Sequence, residues 1–307
     1  MHNDAEARAG LLHGVSAYLL WGLFPLFWPL LEPAGAIEIL AHRMVWSLVV
    51  VAVVLACTGG FGGVRAIVRN RAQRTWLGLA AVVITVNWGT YIWGVNSGHV
   101  VETSLGYFIN PLLTIVLGVV VLGERLRRTQ WVAVAIGAAA VVVIGVDYGR
   151  VPWIALALAI SFGLYGFFKK KAAAGAVDSL AIETGVLFVP ALVTLGVIAA
   201  QGNLVFAHHS AGNSLLLAST GVVTAVPLLF FAAATRRLPL SVLGLLQYLA
   251  PVLQFAVGVG IRHEPLPTAE LLGFVLVWIA LIVLTVDGLR HQRGPSPVED
   301  SAEALAA

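Results

Sequence analysis

Three ionisable side chains lie close together inside one long apolar run of this sequence. Glu38 and His42 are four residues apart, so a helix places them on the same face, and Arg43 follows directly. An ionisable side chain is costly inside a membrane, which makes each such residue a functional candidate. Arg43 could attract an anionic group, and Glu38 and His42 could relay protons. A buried structural ion pair is an equally good interpretation of the same residues.

A fourth ionisable candidate, Glu183, lies 140 residues after Arg43 in another apolar run. We hypothesise that the two side chains approach one cavity near the middle of the membrane, where Glu183 or Glu38 could take up protons. Five further polar side chains could line this cavity: Asn87, Tyr91, Asn96, Asn110 and Gln247. Such side chains can donate and accept hydrogen bonds, so contacts between helices explain them equally well.

Several prolines also fall within apolar runs. Proline removes a backbone hydrogen bond and kinks a helix, and interrupted helices in corresponding positions of two halves often mark the binding site of a transporter. Kinks that serve only packing are an equally good interpretation. The hinge candidates are Pro25, Pro111, Pro227 and Pro251.

The overall composition defines the elements that must carry these residues. Of the 307 residues, 59% are hydrophobic and 11% are charged, whereas a soluble domain carries about 25% charged residues. So few charges cannot cover a water-facing surface, and a helix of about 20 apolar residues crosses the hydrocarbon core of a bilayer. We therefore predict an all-α integral membrane protein with ten transmembrane helices, at residues 11–31, 37–57, 75–95, 101–122, 130–148, 151–168, 180–200, 214–235, 240–261 and 268–287.

The basic residues between these spans predict the orientation of the chain. Fifteen of them fall in the termini and loops on one side of the membrane, and only Arg150 and Arg262 fall on the other. Basic residues concentrate on the cytoplasmic side of membrane proteins, so we expect both termini in the cytoplasm. The polar segment 291–307 is expected to be a disordered cytoplasmic tail.

The chain also repeats itself with an offset of about 140 residues. Pro111 precedes Glu124 by 13 residues, and Pro251 precedes Glu264 by the same number. We predict two related halves, residues 1–148 and 149–290, with five spans each. Because five is odd, the second half must enter the membrane from the opposite face, which makes an inverted repeat of the kind found in secondary transporters.

Several classes of function lack their sequence signatures. No phosphate-binding loop motif and no paired-histidine zinc motif occurs, and the single Cys57 excludes an intrachain disulfide. The pair Glu38 and His42 could act as a general acid and base, but no nucleophile or metal-binding group accompanies it. We therefore expect no enzyme activity, no cofactor, no bound metal and no nucleic-acid partner.

Seven sequence motifs between residues 21 and 251 carry a family resemblance, which covers residues 10 to about 290. They are WGLFP at 21–25, EILAHRMVWS at 38–47, NWGTYIWGVNSG at 87–98, ETSLGYFINPL at 102–112, LGERLRRTQW at 122–131, IET at 182–184 and TAVPLLFFAAATRRLPLSVLGLLQYLAP at 224–251. These motifs resemble the RarD family of EamA-type permeases, within the drug/metabolite transporter superfamily.

The resemblance implies two EamA repeats in a bacterial inner membrane and the transport of a small metabolite or drug. Protons are the candidate coupling ion, the lipid bilayer is the expected environment, and a homodimer is a candidate assembly. The positions that recur in the family are filled here by Glu38, His42, Arg43, Asn87, Asn96, Glu102, Asn110, Glu183 and Gln247. One departure is the turn Arg262-His263-Glu264, which replaces the glycine-glutamate pair that Gly123 and Glu124 form in the first half.

The leading expectation is a secondary transporter that works by alternating access around a central cavity lined by spans 1, 3, 4, 6, 8 and 9. The alternative is a membrane sensor or assembly protein that transports nothing. A transporter needs a water-accessible centre, whereas the alternative predicts a dry, packed one.

Overall fold

The computed structural model describes residues 2–122, 126–147, 149–235, 237–238, 242–243 and 246–292, and these residues form helices joined by short loops. Eight helices in this part of the chain are long and apolar enough to span a membrane, and a bent pair near the N-terminus makes a ninth. The predicted span 240–261 falls partly outside the described residues; its described helix, Leu249–Gly260, has 12 residues.

The helices follow the predicted apolar runs closely, although most extend further. In chain order they are α1 His2–Gly22, α2 Phe24–Phe27, a 3-10 turn at Trp28–Leu31, α3 Ala36–Thr58, α4 Phe61–Arg69, α5 Arg71–Asn96, α6 Val100–Leu122, α7 Arg128–Asp147, α8 Trp153–Ala172, α9 Ala176–Ala200, α10 Ala211–Thr235, α11 Leu249–Gly260 and α12 Thr268–Gln292.

The first predicted span, 11–31, is bent close to Pro25, one of the prolines expected to kink a helix. The chain bends by 42° between α1 and the segment formed by α2 and the 3-10 turn. Pro25 occupies the first turn of α2, where its missing N–H breaks the hydrogen-bond ladder of the preceding helix. The bend therefore has a local cause, and the role of Pro25 as a hinge stays a prediction.

The other three hinge candidates lie in two kinds of position. Pro111 and Pro227 are inside α6 and α10, as is Pro190 inside α9, which the sequence analysis did not single out. Pro251 falls in the first turn of α11, where a missing N–H has no partner to lose.

Helix α4 is an element that the sequence analysis missed. Its nine residues are too few to cross a bilayer. Ile67 is buried against the bundle, Phe61 and Val68 are exposed, and Arg65 and Arg69 complete an amphipathic helix. Short amphipathic helices with basic residues on the polar face are typical of the membrane–water interface.

The main helix contacts join the first half of the chain to the second. Helix α5 packs against α8 and α9, α6 against α8 and α11, α3 against α9 and α10, α1 against α10 and α11, and α7 against α12. Glycine allows the closest approach, since a Cβ atom at Gly221 of α10 would lie 2.4 Å from the backbone of Trp46 in α3. Several of the predicted functional residues, among them Arg43, Asn87 and Glu183, are buried inside this bundle.

Candidate functional site

Arg43 lies in the interior of the bundle, on α3. Its side chain is buried, with 3% of the residue exposed, and its Nε atom donates a hydrogen bond of 2.9 Å to the hydroxyl of Thr224 on α10. The guanidinium carbon lies 3.8 Å from the ring centre of Trp88 and 5.0 Å from that of Trp28. Stacking on aromatic faces stabilises a cation where water is excluded. The Nη1 atom has no hydrogen-bond partner among the described residues.

Two of the predicted cavity residues near Arg43 have different environments. Asn87 donates from its amide nitrogen to the Leu158 carbonyl and the Ser161 hydroxyl, both at 3.0 Å, and accepts from the Tyr107 hydroxyl at 3.1 Å. These bonds join α5, α6 and α8, which favours the interpretation of Asn87 as an interhelical contact. Tyr91 is buried as well, but its hydroxyl has no partner in the described part of the chain.

Glu38 and His42 lie at one end of the bundle. One carboxylate oxygen of Glu38 accepts hydrogen bonds from the backbone N–H groups of Val205 and Phe206, each at 3.0 Å, and lies 3.8 Å from Nε2 of His42. The His42 ring lies 4.6 Å from the ring of Phe206. Glu38 therefore holds the loop between α9 and α10 against α3.

Glu183 has partners that the sequence analysis did not predict. Its carboxylate accepts hydrogen bonds from the Lys169 ammonium at 2.8 Å and the Tyr165 hydroxyl at 3.1 Å. The predicted span 151–168 ended before Lys169, but α8 continues to Ala172, so Lys169 lies in its last turn facing Glu183. The recorded contacts give Arg43 and Glu183 separate partners, and a shared cavity stays a hypothesis.

The three remaining predicted residues lie in different parts of the fold. Asn96 is the last residue of α5, and its side-chain oxygen is buried without a partner among the described residues. Asn110 lies inside α6 near Gly163 of α8. Gln247 is half-buried in the turn before α11. The three residues therefore belong to three different elements of the fold.

Two carboxylates outside the predicted site fasten loops to helix ends. Glu264 accepts hydrogen bonds from the N–H groups of Val100 and Val101 at 2.7 and 2.8 Å, which caps the start of α6. Glu102 accepts from Arg150 at 2.9 Å and from the N–H of Ile154 at 3.2 Å. The sequence analysis singled out both residues, Glu264 through the repeat and Glu102 through the resemblance, but neither for this role.

Comparison with known proteins agrees with the membrane fold. The sequence model of the EamA-like transporter family matches residues 8–146 and, a second time, residues 151–286. Protein RarD of Streptomyces exfoliatus is 57% identical over 293 residues, covering 95% of this chain and 93% of the relative. Protein RarD of Escherichia coli is 38% identical over 291 residues, covering 95% and 98%. An uncharacterized transporter of Bacillus subtilis, YojE, is 40% identical over 300 residues, covering 94% and 97%.

A solved crystal structure shares the fold. It superposes with a TM-score of 0.57 at 19% identity, covering 90% of this chain and 97% of that one. The fold and the relatives together define a multi-pass membrane protein of the transporter class. This chain belongs to the EamA-like transporter family and, within it, to the RarD-type permeases, as the sequence motifs indicate.

Proposed function

We propose that the chain is a secondary transporter that moves a small metabolite or drug across the bacterial inner membrane by alternating access. The observation that carries this proposal is the pattern of helix contacts. Counted in order, the ten proposed spans are α1 (with α2), α3, α5, α6, α7, α8, α9, α10, α11 and α12. If span 1 is exchanged with span 6, span 2 with span 7 and so on, the contact of α1 with α10 becomes the contact of α8 with α5. In the same way, the contact of α1 with α11 becomes the contact of α8 with α6. The pairs α3 with α9, α6 with α11 and α7 with α12 are exchanged onto themselves. A contact scheme of this kind is expected of two inverted repeats that rock about a shared site.

Individual close contacts support the same exchange. Helix α1 approaches α11 where a Cβ atom at Gly22 would lie 2.7 Å from the side chain of Leu253. Helix α8 approaches α6 where a Cβ atom at Gly163 would lie 3.3 Å from the side chain of Leu113. The two leucines are 140 residues apart and the two glycines 141, the offset that the sequence repeat predicts.

The orientation is part of the proposal: both termini face the cytoplasm. The test starts from Cys57→Ser and adds one cysteine at a time, either Arg69→Cys at the end of α4 or Gln201→Cys directly after α9. Both native residues are exposed. A membrane-impermeant maleimide should label the position 201 variant in intact cells and the position 69 variant only in inverted vesicles. The reverse pattern would show that the orientation is wrong.

Transport itself is tested by counterflow in proteoliposomes loaded with a panel of metabolites and drugs. Proton coupling adds a second arm with an imposed pH gradient. Because Glu183 is a buried carboxylate, we expect Glu183→Gln to lose gradient-driven uptake while it keeps counterflow. Glu32→Gln changes an exposed carboxylate and should keep both. Folded protein that gives no counterflow with any member of the panel would overturn the proposal.

The alternative of a sensor or assembly protein predicts a dry interior. Cysteines placed at Asn87, Tyr91 and Asn110 in the Cys57→Ser background distinguish the two, because a transporter must admit water to these positions during its cycle. Labelling of all three by a small hydrophilic thiol reagent supports transport. Protection of all three in folded protein supports the alternative.

A further inference from the structure

The Arg43 guanidinium is a buried cation that makes no ion pair with any described carboxylate. Thr224 accepts from Nε and Trp88 covers one face, but Nη1 has no partner among the described residues. A buried charge without a counter-ion is strongly unfavourable, and an anionic ligand would remove that cost. The nearest carboxylate along α3, that of Glu38, is already occupied by two backbone N–H groups.

Two other side chains near Arg43, Trp28 and Tyr91, carry polar atoms that can donate a hydrogen bond and that have no partner among the described residues. The Trp28 indole nitrogen is buried without a partner in the part of the chain that the structure describes, and the centre of its ring lies 5.0 Å from the guanidinium carbon. The Tyr91 hydroxyl is also buried without a partner in the described part of the chain, and Tyr91 belongs to the same buried cluster as Phe24 and Trp28, whose rings lie beside the guanidinium. An indole N–H can only donate, and an arginine has no acceptor. A group that satisfies all three side chains must therefore offer several acceptor oxygens.

The charge and shape of the site select among the anions. The planar guanidinium fork matches a carboxylate in a bidentate arrangement. Lys169 already pairs with Glu183, so of these two cations Arg43 is the one available for a ligand. One cation balances one negative charge, which suits a carboxylate better than a dianionic phosphate. The walls of Trp28, Trp88 and Phe24 around Arg43 suit an apolar or aromatic body.

We propose that Arg43, with Trp28 and Tyr91, binds the carboxylate of a small organic monocarboxylate with an apolar or aromatic body. This substrate class rests on the proposed transport function and deepens it. Arg43 supplies the charge, Trp28 and Tyr91 supply neutral donors, and Thr224 holds the guanidinium in place through Nε.

The experiment measures binding of benzoate, benzamide and inorganic phosphate to the purified full chain by titration calorimetry and thermal stabilisation. Benzamide keeps the shape of benzoate without its charge. We expect benzoate to bind about tenfold or more tightly than benzamide, the effect of one charge-assisted hydrogen-bonded pair. Equal binding of benzoate and benzamide, or preference for phosphate, would overturn the proposal.

Variants assign the binding to Arg43. Arg43→Gln should lose the preference for benzoate over benzamide, and Arg43→Lys should keep part of it because the charge remains without the fork. Arg237→Gln removes an arginine that pairs with Glu6 at the surface and should leave the preference unchanged. Arg43→Gln that retains the full preference refutes the site. If Arg43→Gln does not fold, Thr224→Val provides the variant: we expect it to weaken benzoate binding, and unchanged binding counts against the site.

The two proposals fail in different ways. Protein that binds benzoate through Arg43 but gives no counterflow keeps the site and loses the transport function. Protein that gives counterflow with another substrate class while ignoring benzoate keeps the transport function and loses the carboxylate site.

Discussion

The pair of Lys169 and Glu183 offers a quantitative test of the interior electrostatics. The Lys169 side chain is 24% exposed, whereas that of Glu183 is 2% exposed, and their charged atoms are 2.8 Å apart. The two single changes should therefore differ in cost. Lys169→Met leaves a buried carboxylate without its cation, whereas Glu183→Gln leaves a lysine that can reach water through its flexible stem.

We expect Lys169→Met to lower the free energy of unfolding by about 2–3 kcal/mol, towards the lower end of the cost of breaking a buried pair because Lys169 is partly exposed. Glu183→Gln should cost roughly half as much, since the Tyr165 hydroxyl can still donate to the amide oxygen. The double variant should resemble Glu183→Gln alone, so the coupling energy between the two sites should be about 2–3 kcal/mol, the cost of Lys169→Met by itself.

The assay is reversible unfolding in mixed micelles by titration with SDS, followed by tryptophan fluorescence. Lys170→Met is the matched control, because Lys170 is the exposed neighbour in the same helix turn and should change stability little. Additive effects of the two single changes within about 0.5 kcal/mol would show that the pair is not coupled and refute the reasoning.

Two further predictions concern helix packing and capping. Gly221→Ala should lower the unfolding free energy in the same titration by about 1–3 kcal/mol, because the added methyl group meets the backbone of Trp46. The control is Gly196→Ala, which adds a methyl group in open space and should be neutral or slightly stabilising. If both changes cost the same, the close approach is wrong. Glu264→Gln should lower the apparent melting temperature, because an amide has one acceptor oxygen for two backbone N–H groups. The control Glu32→Gln changes an exposed position and should leave the melting temperature unchanged. Equal melting curves for both variants would contradict the capping role of Glu264.

Apolar length alone predicted most of the membrane spans, because a lipid-facing helix must be apolar along its whole length. Apolar length could not predict α4, because its nine residues are too few to cross a bilayer. Its apolar side is recognisable only once the packing of Ile67 against the bundle is known. The bend near Pro25 was predicted as a kink, but its angle depends on how α2 packs against its neighbours.

The candidate site was predictable in its residue types and not in its pairings. Arg43, Glu38 and Glu183 were identifiable because an ionisable group in an apolar run is rare. The partners Trp88, Lys169 and Thr224 depend on how each helix rotates about its axis and where it ends, and spacing along one chain does not fix those quantities. The end of α8 shows this most directly, since four additional residues of helix bring Lys169 to Glu183.

The contact scheme that exchanges onto itself has an energetic consequence. In a molecule with two identical halves, the states open to either side of the membrane would have the same free energy, so neither would be preferred. Any bias between them must come from residues that differ between corresponding positions. Arg43 and Glu183 occupy one such pair, opposite in charge and equally deep from their own helix starts. In the proposed alternating-access cycle, substitutions at unlike positions of this kind would therefore change which state is preferred at rest, while changes at matched positions would affect both states alike.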